Sequence, residues 1–210
     1  MIMPNVLAFF LHLDKVLPLL FVEYGNGIYA LLFLIIFCET GLVFMPFLPG
    51  DSLLFATGAL IGISGLSIWG MWGLLILAAV LGDTLNYWIG NTFGQRLAKS
   101  RWVNPKYLAK SKAYFEKHGS RAIFLARFLP IFRTFVPFIA GISEMPYKTF
   151  MKINILGGVT WVSLFLWFGY WFGQTDWVKA HFSSIILGII AVSLVPILYD
   201  ILKHLLKRPT

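Results

Sequence analysis

The sequence predicts an all-α membrane protein. Its plan is an inverted repeat of a re-entrant hairpin plus a transmembrane helix, with interfacial amphipathic helices and a C-terminal transmembrane helix. Three observations predict it. First, 59% of the 210 residues are hydrophobic and 12% are charged, with a mean hydropathy of +0.79, whereas soluble domains carry about a quarter charged residues. Second, apolar stretches long enough to span a bilayer alternate with apolar stretches broken by proline. Third, the spanning helix of each half ends in a similar phrase, YWIG at 87–90 and YWFG at 170–173.

The chain opens without the short basic region and small-residue cleavage site of a secretory signal. Residues 5–22, which include Asp14 and Lys15, read as an N-terminal surface helix with too few charges to fix its side. Residues 28–63 are apolar but interrupted by MPFLPGDS, with Pro46, Pro49 and Gly50 making a turn, and form the first re-entrant hairpin. Residues 69–93 contain no Lys or Arg and suit a transmembrane helix, because about 20 residues at 1.5 Å each cross a ~30 Å hydrocarbon layer. Trp69, Trp72, Trp171 and Trp177 fall near the ends of spans, where indoles favour the interface.

A basic loop follows at 94–121, with Lys or Arg at 96, 99, 101, 106, 110, 112, 117 and 121 against the single acid Glu116. Between membrane segments such a run is a topology signal placing the loop in the cytoplasm, so nucleic-acid binding is excluded as its role. Lys203, Lys207 and Arg208 place the C-terminus on the same side. Within the loop, 104–119 reads as a cytoplasmic interfacial helix. Asn104 suits the cap, Pro105 the first helical position and Gly119 the stop, while Tyr107, Leu108, Ser111, Tyr114 and Phe115 share one face. Its lysines would lie among anionic headgroups, or the helix would cover the protein's own surface.

Residues 122–142 are apolar, kinked by Pro130 and Pro137, and too short for the roughly 40 residues that two crossings need. With cationic segments on both sides, this stretch enters and leaves on the cytoplasmic face as the second re-entrant hairpin. Counting sides back from the basic loop, the first hairpin enters from the opposite face, which gives the inverted repeat. Irregular backbone at membrane depth requires a protein-lined or water-filled cavity. Residues 153–173 and 183–202 are two further transmembrane helices, and all seven elements form a single membrane domain over 1–210.

Five ionisable residues remain at depth: Glu39, Asp51, Asp83, Arg127 and Arg133. Each needs a partner or water, since an unpaired charge in lipid is strongly unfavourable. Asp51 follows Pro49-Gly50 and can cap the helix after it. Glu39 has no capping position and expects an arginine as partner. Asp83 and Asn86 make a secondary polar site on the spanning helix, in a row with Gly82, Gly90 and Gly94 that suits helix packing. Arg127 and Arg133 are six apart, so a straight helix would separate them, but a break at Pro130 lets the two guanidiniums converge. A planar cation that keeps its charge at depth suits phosphate, and the natural counterion in a membrane is a lipid phosphate. Glu39 and Asp51 are the candidate proton-coupling groups, because desolvation and a nearby arginine act oppositely on a carboxylate.

FCETGLVFMPFLPGDSLLF (37–55), GDTLNYWIGNTFG (82–94) and ARFLPIFRTFVPFIAGISEM (126–145) together resemble the signatures of the DedA family, the resemblance running over about residues 20 to 205. It implies two opposed re-entrant hairpins, an inverted repeat, and translocation of undecaprenyl phosphate or phosphatidylethanolamine dependent on proton motive force. It also implies functional acids at Glu39 and Asp51 and functional arginines at Arg127 and Arg133.

The expected function is therefore a lipid translocase, flippase- or scramblase-like, in the bacterial inner membrane, with a phosphate-headgroup lipid and protons as partners. The alternative is a structural or assembly protein that supports the envelope without transport. An enzyme is not expected. His12, His118, His181 and His204 all lie outside the hairpins, HExxH is absent, and no nucleophile–base pair stands out. The one cysteine, Cys38, excludes an intramolecular disulfide and a thiolate metal cluster. No cofactor or metal is expected, and a homo-oligomer is compatible with this reading.

Overall fold

A computed structural model describes residues 13–42, 50–94 and 123–181, together with Arg121, Ser184, Ile185, Gly188 and Ile189. Among them every regular element is helical: α1 (Leu13–Tyr24), α2 (Gly27–Gly41), α3 (Gly50–Ser64), α4 (Ile68–Ile89), α5 (Pro130–Ile142), α6 (Tyr147–Phe172) and α7 (Asp176–Ala180). A π-helical turn, Gly90–Gly94, continues α4. The expected interfacial helix at 104–119 and most of the expected spans 5–22 and 183–202 lie outside the described residues.

Two helices, Ile68–Phe93 and Tyr147–Phe172, are long and apolar enough to cross a membrane. The second starts at Tyr147, where the sequence suggests 153. Pro146 ends the preceding turn, the N–H groups of Thr149 and Phe150 donate to its carbonyl at 2.9 and 3.1 Å, and the exposed Lys148 and Lys152 ride on the first turns of the helix. The segment expected to break at MPFLPGDS is two helices, α2 and α3, with Leu42 and the undescribed residues 43–49 between them. Glycines shape the turns: Gly25, at φ 49°, follows α1 and Gly65, at φ 72°, follows α3. Both are backbone positions a side chain would strain.

The chain divides into two compact units. The first holds residues 1–28, 48–68 and 164–210. Here α3 is buried on all sides from Ser52 to Ile61, as expected for a helix that is apolar all round. It meets the end of α6 along a seam of small residues. A methyl group at Gly58 would strike the Leu166 carbonyl, one at Gly169 the Phe55 carbonyl, one at Gly173 Ala59, and one at Gly62 the Gln174 side chain. Close backbone approach through small residues is how helices associate without a hydrophobic driving force.

The second unit holds residues 29–47 and 69–163. Its apolar core is Tyr87, Ile123, Ala140, Phe150 and Ile153, flanked by Phe124, Val136, Ile139 and Met145. Tyr87 stacks on Phe150 with centroids 4.5 Å apart, and its hydroxyl donates to the Met145 carbonyl at 2.5 Å. Small residues bring the helices together here too: Gly82 of α4 meets Thr40 and Gly41 of α2, Gly90 meets the Phe138 backbone of α5, and Gly141 of α5 meets the backbone from Tyr87 to Asn91. This unit carries the charged residues that matter most.

Candidate site of buried arginine–carboxylate pairs

The segment Ile123–Ala126 is a helical turn that stops at Arg127. The N–H groups of Arg127, Phe128 and Leu129 donate to the carbonyls three residues earlier, at 3.3, 3.1 and 3.0 Å. Leu129 is extended (φ −110°, ψ 109°) and Pro130 begins α5. Steric conflict with the proline ring disfavours helical geometry at the residue before it, so the break falls where the sequence predicts. Arg127 therefore sits at the irregular junction and Arg133 on the first turns of α5. Both are buried, at 5% and 4% exposure.

Each arginine meets a carboxylate from a different helix. Arg133 Nη2 donates to Glu39 Oε1 of α2, and Arg127 Nη2 donates to Asp83 Oδ2 of α4. Glu39 and Asp83 are themselves buried. The Arg133 guanidinium also lies over the indole of Trp161, 4.7 Å from the ring centroid, where a desolvated cation–π contact is worth about 2 kcal/mol. Arg133 acts electrostatically on Arg127 and Asp83 as well, so the pairs form one charged cluster.

Arg127 has a second acceptor. Its Nη2 donates to Asn154 Oδ1 of α6 at 2.7 Å. Asn154 Nδ2 in turn donates to the Val80 carbonyl at 3.0 Å and Thr84 Oγ1 at 3.4 Å, both on α4. Gly157 and Gly158 make room for the guanidinium, since a methyl group there would stand 3.3 Å from Arg127 Nε or 3.0 Å from Nη1. Arg127 Nη1 and Asp83 Oδ1 are buried and make no hydrogen bond among the described residues. Buried polar atoms are ordinarily satisfied, so the cluster retains donor and acceptor capacity beyond its ion pairs.

Asn86, one turn from Asp83, ties three elements together. Its Nδ2 donates to the Thr40 carbonyl at 3.2 Å and to the Thr134 carbonyl at 2.6 Å. The hydrogen-bonding role read from the row Gly82, Asn86, Gly90 thus has a partner helix on each side, α2 and α5.

Of the six residues singled out by sequence, five are brought together in the second unit: Glu39, Asp83, Asn86, Arg127 and Arg133. Asp51 belongs to the first unit and lies half-buried in the first turn of α3, where the positive end of the helix dipole favours a carboxylate. Sequence reasoning assigns Asp83 to a secondary site, yet in the structure it is Asp83 that faces Arg127. Among the described residues no group of three His, Cys, Asp or Glu side chains could hold a metal ion.

Residues 48–171, more than half of the chain, match the VTT domain family. The protein DedA of Escherichia coli (strain K12) is 46% identical over 204 residues, covering 95% of this chain and 93% of that protein. The chain belongs to the DedA family. Other relatives include an uncharacterized membrane protein of Mycobacterium leprae (strain TN), 46% identical over 78% of this chain and 75% of its own length. Another is the inner membrane protein YghB of Escherichia coli (strain K12), 37% identical over 73% of this chain and 72% of its own. No solved structure matches. Those names and the two long apolar helices agree on a membrane location for this DedA-family chain.

Two members of the cluster escape a sequence reading. Asn154 lies close after Lys148 and Lys152 and looks like part of a polar helix end. Trp161 is one of eight tryptophans, and only its central place in α6, away from either end, sets it apart from interface indoles.

Proposed function

We propose that the protein translocates a phosphate-bearing lipid, such as undecaprenyl phosphate or phosphatidylethanolamine, across the bacterial inner membrane, coupled to protons and without covalent catalysis. The observation that carries this reading is the pair of buried arginines in a membrane chain, each held by a carboxylate, with Arg127 Nη1 making no hydrogen bond among the described residues. Arg127 and Arg133 would take the phosphate while the acyl or prenyl tail stays in lipid. Glu39, and with it Asp51 or Asp83, would take up protons as phosphate displaces them. The basic loop 94–121 and the C-terminus would face the cytoplasm, with the loop against anionic lipid.

An inverted repeat with two re-entrant hairpins fits this function, because it puts a substrate site between broken elements. Two matches in sequence support the repeat. YWIG and YWFG are 83 positions apart, and FLP…GIS recurs at 47–64 and 128–143 with its GIS ends 79 positions apart. Those offsets carry contacts onto contacts. Asn86 on the Thr134 carbonyl maps to Gly169 on the Phe55 carbonyl, Gly90 on Phe138 to Gly173 on Ala59, and Asn91 by Gly141 to Gln174 by Gly62. Each unit thus joins a YWxG helix from one half of the sequence to a post-proline helix from the other.

The experiment is reconstitution into liposomes with each lipid, with and without a proton gradient, comparing wild type with Arg127→Lys and Arg133→Lys. Lysine keeps the charge but loses the planar fork, so both variants should insert and fold yet lose most transport. The alternative, a structural or assembly protein, draws support from both arginines being closed in ion pairs. It predicts that the lysine variants collapse in detergent and that the wild type moves no lipid.

A further inference from the structure

We infer that Asn154 is the positioning residue that presents Arg127 to its anion, resting on the phosphate-lipid reading above. Arg127 sits at a break in the chain, where no helix fixes its side chain. Asp83 alone would hold it through one oxygen. The second anchor is the Asn154 amide, whose oxygen accepts from the same Nη2 at 2.7 Å while its nitrogen is pinned to Val80 and Thr84 of α4. Both contacts fall on Nη2, so Nη1 is left as the buried donor edge without a hydrogen bond among the described residues. At Gly158 the absence of a side chain lets that edge pack against the α6 backbone, since a methyl group there would stand 3.0 Å from Nη1.

The chemistry of the anchor matters. An amide oxygen fixes the guanidinium in place but does not neutralise it. A second carboxylate at the same position would do both, and would compete with phosphate for the cation. Asparagine therefore aims Arg127 while leaving its charge to be shared between Asp83 and an incoming phosphate. The bond from Arg127 is charge-assisted with either acceptor, but only an aspartate would set a second full negative charge against the cation, so the distinction between Asn and Asp at position 154 decides how readily Arg127 exchanges partners.

The test compares wild type, Asn154→Asp, Asn154→Ala and Gly158→Ala in phosphatidylcholine vesicles carrying increasing fractions of undecaprenyl phosphate, or of phosphatidylethanolamine in a parallel arm. The half-saturating lipid fraction, the maximal rate and the unfolding midpoint in detergent are recorded. Asn154→Asp loses the amide donor to Val80 and Thr84 and adds a buried carboxylate, so it should fold less stably than wild type and lose about tenfold or more in transport. Asn154→Ala should raise the half-saturating fraction about tenfold, the worth of one charged hydrogen bond, with a maximal rate close to wild type. Gly158→Ala, which crowds Nη1 without touching Asn154, should move the same parameter. It decides the matter if Asn154→Asp does not fold. If wild type transports and these variants match its half-saturation, or lose only stability, the positioning role is overturned. If wild type moves neither lipid, the phosphate-lipid reading itself falls and this role with it.

Discussion

Glu39 and Arg133 offer the sharpest energetic test, because both are buried and sit 94 residues apart in sequence on separate helices. Replacing Arg133 by Met removes the cation and leaves the Glu39 carboxylate without its guanidinium in a buried place. Breaking a buried pair from one side costs about 3–5 kcal/mol, and the contact with Trp161 adds about 2 more. Glu39→Gln is milder, since the amide oxygen still accepts from Arg133, and should cost about 2–3 kcal/mol. Independent effects would sum to about 8 kcal/mol, most of the 5–15 kcal/mol that holds an ordinary domain together. The double variant Glu39→Gln/Arg133→Met buries no net charge, so it should lose only about 3–4 kcal/mol, a coupling of about 4. The assay is reversible unfolding in mixed micelles titrated with a denaturing detergent, followed by tryptophan fluorescence. Additivity of the two substitutions to within about 0.5 kcal/mol would refute the pair as an energetic unit.

Glycine contacts should answer in matched pairs. Gly90→Ala and Gly173→Ala each press a methyl group into a neighbouring helix and should destabilise by about 1–3 kcal/mol. Gly73→Ala, with nothing within 4 Å, should be neutral or stabilise by up to about 1 kcal/mol; thermal melts in detergent read all three. On a background with Cys38 replaced, single cysteines at Ser64 or Gln174 should react with an impermeant maleimide in sealed cells. One at Ser111 should react only after permeabilisation, and external labelling there would reverse the proposed orientation.

The two long apolar helices were legible because composition alone marks a stretch without Lys or Arg over 69–93 and another ending at YWFG. The break before Pro130 was legible for a local reason, the steric demand of proline on its predecessor. Glu39 stood out as a lone acid among apolar neighbours, which in a membrane chain asks for a cation. Pairing was not legible. Three acids and two arginines admit several matches, and what selects Asp83 for Arg127 is the packing that brings α4 beside position 127, a tertiary fact. Asn154 was hidden for the same reason, since its role exists only across α4, α6 and the junction. Trp72, read as an interface indole, donates to Ser163 Oγ at 2.8 Å, a partner that hydropathy cannot reveal.

The interleaving of the two halves has a consequence for biosynthesis. Chains emerge at about 5–20 residues per second. Gly58 on α3 then waits on the order of 5–20 s for the carbonyl of Leu166 that it will touch. Glu39 waits almost as long for Arg133, 94 residues behind it, while Asp83 precedes Arg127 by only 44. During that interval α2 holds an acid whose cation has not yet been made, and an unpaired carboxylate favours water over lipid. The contact of α2 with α5 is thus made long after α2 itself, and a ribosome that stalls between residues 127 and 133 leaves Glu39 made and its cation missing.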